Sequence, residues 1–71
     1  MSNYEIQQTL VSLPPENSGW HKELNQISWF GRDPVYDIRD WNEDRSKMGK
    51  GTTFTKSELK SFIEKLQEVS L

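Results

Sequence analysis

The chain has 71 residues, no cysteine, one histidine and a formal net charge of −2, with a sequence pI near 5.3. Disulfides and thiolate metal sites are excluded outright, and a lone His21 argues against a histidine-built zinc centre. A single domain of this size, residues 1–71, buries little surface alone, so a second subunit is the expected source of further burial.

Nothing in the sequence is long and apolar enough to span a bilayer, and Met1–Glu5 lacks the basic start and apolar run of a secretory signal. The expected location is therefore cytoplasmic. The acidic balance counts against a nucleic-acid partner, but the field over one face, not the net charge, decides that question.

In chain order, residues 4–13 are rich in β-formers and read as a first strand. Pro14–Gly19 is a loop by composition, with two prolines that cannot donate to a ladder. Residues 20–30 form a long second strand, and Gly31-Arg32-Asp33-Pro34 is a turn of hairpin length. Residues 35–41 alternate cleanly: Tyr36 and Ile38 face one way, and Val35, Asp37, Arg39 and Trp41 the other. Asn42 to Gly51 is polar and carries two glycines, which reads as a long, mobile loop. A short fourth strand follows at 51–54.

The tail predicts a helix over about 56–69. Thr55-Lys56-Ser57-Glu58 fits a capping box, and Leu59, Phe62, Ile63, Leu66 and Val69 recur at helical spacing. The fold class is thus α+β: a four-stranded antiparallel sheet followed by one C-terminal helix, expected to be homodimeric. The helix is expected to cover one sheet face against Tyr36, Ile38, Ile27 and Trp29.

The opposite face would then carry Lys22, Leu24, Gln26, Ser28 and Phe30 from the second strand and Arg39 and Trp41 from the third, with Lys50 at the mouth of the fourth. Cations beside exposed aromatics suit a single strand, whose unpaired bases stack on rings and whose phosphates need Lys or Arg. Lys47 and Lys50 gain weight from nearby glycines, which let backbone N–H groups approach a phosphate. The plainer reading stands beside this one. Phe30 and Trp41 suit a small aromatic core equally well. Arg39, between Asp37 and Asp40, reads as a surface ion pair, and Lys22 as solvated surface.

Two segments sharpen the choice. Gly19-Trp20-His21-Lys22-Glu23-Leu24-Asn25, continuing to Ile27-Ser28-Trp29, is one. Tyr36-Asp37-Ile38-Arg39-Asp40-Trp41, running on to Lys47-Met48-Gly49-Lys50-Gly51-Thr52-Thr53, is the other. Together they resemble the YdbC-like bacterial branch of the positive cofactor 4 transcriptional coactivator family. The resemblance implies a homodimer that binds single-stranded DNA on a curved sheet with little sequence preference, in transcription or in handling exposed single strands. Carried over by position, it implies binding roles for Arg39, Lys50, Phe30 and Trp41, and makes Arg32 the only cation of the second turn.

The candidate nucleic-acid-binding set is Lys22, Phe30, Arg32, Arg39, Trp41, Lys47 and Lys50. DNA and RNA are not separated, because no residue is aimed at a 2′-hydroxyl. The alternative is a protein-interaction module that uses the open face or an edge strand. Catalysis is not expected: the carboxylates Asp33, Asp37, Asp40, Glu43 and Asp44 are interleaved with Arg32, Arg39 and Arg45, and no nucleophile constellation accompanies them. No cofactor, metal, membrane or small-molecule substrate is expected.

Overall fold

A computed structural model describes residues 3–71; Met1 and Ser2, part of the segment read for a secretory signal, lie outside it. Four strands, β1 (Tyr4–Ser12), β2 (His21–Trp29), β3 (Val35–Trp41) and β4 (Met48–Phe54), precede one helix, α1 (Lys56–Leu66). The sheet is antiparallel throughout in the order β1-β2-β3-β4, so every connection joins neighbours. The α+β architecture anticipated from the sequence is the one observed.

Register fixes which side chains share a face. Leu24 pairs with Ile38, Gln26 with Tyr36 and Lys22 with Asp40; Tyr36 pairs with Phe54. This is the helix side, where the Phe54 and Phe62 rings stack at 5.3 Å. Thr55 caps the helix as its sequence predicts, accepting from the Glu58 amide at 3.1 Å while the Glu58 carboxylate accepts from the Thr55 amide at 2.9 Å. The helix lies over β3 and β4 only, and buries Leu59. Phe62, Ile63 and Leu66 stay exposed, beside Val11, Leu13 and Leu24, along an apolar groove of about 290 Å³.

The other face carries Tyr4 and Ile6 of β1, His21, Glu23, Asn25, Ile27 and Trp29 of β2, and Val35, Asp37, Arg39 and Trp41 of β3. Among the described residues no helix covers it, yet Ile27, Trp41, Asn25 and Asp37 are fully buried there. A flat open sheet cannot hide side chains in this way, so the sheet curls into a trough around them. Arg45, just beyond β3, reaches across β2 to Thr9 on β1, which the same curl requires.

Two expectations are corrected here. Ile27 and Trp29 do not face the helix; β2 has the opposite parity, with Lys22 and Leu24 on the helix side. The cause is that the trough is itself a core, so apolar side chains stand on both faces of β2. The segment 42–51 is not one long loop either. β4 begins at Met48, and the connection from Asn42 to Lys47 is closed by the Asn42 amide donating to the Lys47 carbonyl at 3.1 Å. The Asn42 carboxamide adds two bonds, accepting from the Lys47 amide at 2.9 Å and donating to Ser46 Oγ at 2.8 Å.

Candidate nucleic-acid interface

The trough is floored by aromatic rings. Tyr4 lies between Trp29 and Trp41, with ring centroids 5.6 Å and 5.7 Å away. The Arg39 guanidinium sits 4.8 Å from the Trp29 ring centroid, within cation–π range. Arg39 is also held by Asp37, two residues earlier on the same face, through Nε to Oδ1 and Nη2 to Oδ2 at 2.7 Å each. Its remaining nitrogen donates to Met48 Sδ at 3.2 Å and to the Gly49 carbonyl at 3.4 Å. β4 approaches Arg39 so closely that a Cβ on Gly51 would overlap Arg39 Cβ and come within 2.5 Å of the Ile38 carbonyl. Only glycine fits there.

A second polar cluster centres on Glu23, which is 2% exposed. His21 Nε2 lies 2.5 Å from Glu23 Oε2, Asn25 Nδ2 donates to Oε1 at 3.1 Å, and Arg45 reaches the carboxylate with Nε at 3.1 Å and Nη2 at 3.0 Å. Burial pushes this carboxyl upward, but the bonds from Asn25, His21 and Arg45 outweigh it and hold its pKa below the ordinary value of 4.5. Asp44 is also held below its ordinary value, by hydrogen bonds from Ser46 in the same connection. Two buried polar atoms of the trough, Asn25 Oδ1 and Trp41 Nε1, have no partner among the described residues.

The seven candidates are not gathered on one surface. Lys22 is on the helix side, 3.0 Å from Asp40 Oδ1. Trp41 is in the trough but fully buried, so it offers no ring face to a base. Arg39 is in the trough with its nitrogens engaged and its side chain 14% exposed. Phe30 is not on a strand: it forms the β2–β3 turn with Gly31, both at positive φ, +53° and +73°, closed by the Arg32 amide donating to the Trp29 carbonyl at 2.9 Å. Phe30 is 66% exposed, and the Arg32 guanidinium stands 6.0 Å from its ring centroid. Lys47 and Lys50 are exposed at the other end of β3. Lys50 belongs to an irregularity in β4, where Gly49 and Lys50 together stand opposite Asp40.

The exposed candidates therefore form two pairs, Phe30 with Arg32 and Lys47 with Lys50, separated by the seven-residue length of β3, about 23 Å. Sequence reasoning passed over Arg45, whose side chain is 42% exposed and ties three parts of the trough together. Nothing in its local pattern marks it, because its partners Glu23 and Thr9 are 22 and 36 residues away.

The sequence pattern of the Transcriptional Coactivator p15 (PC4) family matches residues 16–65. The chain belongs to this family. The PC4 family is a nucleic-acid-binding, non-enzymatic one, and the matched span contains all seven candidates, Lys22 to Lys50. The chain is also similar to an uncharacterized protein of Treponema pallidum (strain Nichols), 44% identical over 69 residues, covering 97% of this chain and 81% of that protein. Among the described residues no helix is long and apolar enough to cross a membrane, and no cluster of His, Cys, Asp or Glu has the makings of a metal site.

Proposed function

We propose that this PC4-family chain binds single-stranded DNA with little sequence preference, as a homodimer, and serves transcription or the handling of exposed single strands. The observation that carries the reading is the family match over 16–65, which spans both exposed cation–aromatic and lysine clusters. In this reading Lys47 and Lys50 at one end of β3 and Arg32 at the other neutralise phosphates, while Phe30 stacks a base. Arg39 and Trp41 contribute by building the trough between the two ends. Lys22, on the helix side, stands apart from the path. The apolar groove beside α1 takes a second copy of the chain, which removes Phe62, Ile63 and Leu66 from water and supplies the burial that a 71-residue chain lacks.

The test is titration of fluorescent oligo-dT, a matched duplex and a matched RNA at two salt concentrations. Oligo-dT should bind more tightly than duplex, and its binding should weaken steeply with salt. Absence of oligo-dT binding at low salt overturns the reading.

A further inference from the structure

We infer that Arg45 is a positioning residue for the nucleic-acid path: it latches the β3–β4 connection across the end of the trough and so sets where Lys47 stands. The inference rests on the functional reading above, and its structural half can be measured without any nucleic acid.

Arg45 belongs to a connection at the edge of β3, yet its guanidinium bonds to Glu23 in β2 and to Thr9 in β1, the latter from Nη2 to Oγ1 at 3.0 Å. One side chain thus spans the sheet from its third strand to its first. The backbone is bent to make this reach: Arg45 has φ +61°, a left-handed conformation uncommon for a residue with a Cβ. Asn42 holds the bend from inside, its carbonyl accepting from the Arg45 amide at 3.1 Å. Glu23, the anchor, is buried and hydrogen-bonded by His21 and Asn25, so it cannot follow if the connection swings away. Lys47 follows Arg45 by two residues and closes the same turn through Asn42.

A latch and a direct phosphate contact make opposite predictions. Glu23 is an anion in the trough. If Arg45 acted only through its charge, Glu23→Gln would remove a repulsive group and tighten oligo-dT binding. A latch loses its anchor in that variant, and binding weakens. Arg45→Lys keeps the charge but loses the planar fork that reaches Glu23 and Thr9 together, so it should not rescue a latch.

The experiment compares wild type, Arg45→Lys, Arg45→Ala, Glu23→Gln and the milder Thr9→Val. Amide hydrogen exchange of residues 42–47 is measured in the free proteins, and oligo-dT affinity at two salt concentrations, after urea unfolding has verified that each variant is folded. Expected are faster exchange across 42–47 in all four variants and affinity reduced about tenfold in both Arg45 variants. The salt slope should fall equally in Arg45→Lys and Arg45→Ala, because both release Lys47 from its phosphate. Unchanged exchange in every variant overturns the latch, whether or not the protein binds DNA. Full affinity in Arg45→Lys, with a slope reduced by about 0.7 in Arg45→Ala, overturns it in favour of a phosphate contact. Failure of wild type to bind oligo-dT counts against the functional reading, and the exchange comparison still decides the latch.

Discussion

Arg39 grips Asp37 along the full edge of its guanidinium, and Asp37 is the completely buried partner of the two. A carboxylate so placed depends on its cation. Removing one member of a buried pair leaves an uncompensated charge and costs about 3–5 kcal/mol. That is a large share of the whole stability of a small domain, roughly 0.05–0.15 kcal/mol per residue. Arg39→Ala should therefore appear first as a loss of folding, read as a lower urea midpoint. Adding Asp37→Asn should recover part of that loss, because the stranded charge is gone. A fully stable Arg39→Ala protein with weaker DNA binding would show that the pair matters to the ligand and not to the fold.

Phe30 and Trp41 should separate cleanly. Phe30 is exposed and held at a φ that costs an L-residue of order 1 kcal/mol, a strain glycine does not feel. Phe30→Gly should raise the melting temperature and lower oligo-dT affinity by the stacking of one base, ~1–3 kcal/mol. Trp41→Phe keeps a ring in the trough and removes an unpartnered donor, so affinity should hold. Parallel thermal melts and titrations check both, and an affinity loss confined to Trp41→Phe would return the stacking role to the buried ring.

Glu23 gives the fold an acid-sensitive element. Its folded pKa lies below the ordinary 4.5, so the folded state binds protons less readily than the unfolded chain. The stability this contributes is present above the unfolded value and is lost as pH falls through the folded one. Urea unfolding from neutral pH into the acid range below about 4.5 should show stability declining, and Glu23→Gln should flatten that decline. An identical slope in both proteins would show that other carboxylates carry it.

The groove beside α1 gives the assembly test. Ile63 is 47% exposed on its rim, with Phe62 and Leu66 on the same stripe. Ile63→Glu places a charge there without touching the trough, and should shift sedimentation equilibrium from dimer to monomer. Sedimentation of both wild type and variant as monomers would remove the second copy from the account.

What was legible in the sequence follows from what was local. The capping box at Thr55 and Glu58 and the alternation of β3 each depend on residues a few positions apart, and both are found as read. The parity of β2 was not legible, because Leu24 on one side and Ile27 and Trp29 on the other both meet apolar surroundings. Glu23 and Asp37 look like surface charges by type; only partners on distant segments, or a curled sheet, make them interior. The sequence predicts β4 only from Gly51 because Gly49 and Lys50, before it, have poor strand propensity. At Gly51 the missing side chain is what lets the strand pass Arg39 at all.

The outer strand β1 loses register twice against β2, between Ile6 and Gln8 and again between Thr9 and Val11. A ribbon kinked at two places within nine residues makes a poor template for another chain to zip onto along its length. The irregularity thus works against runaway stacking into fibrils, and favours copies of this protein meeting through side chains rather than through shared backbone ladders on that flank.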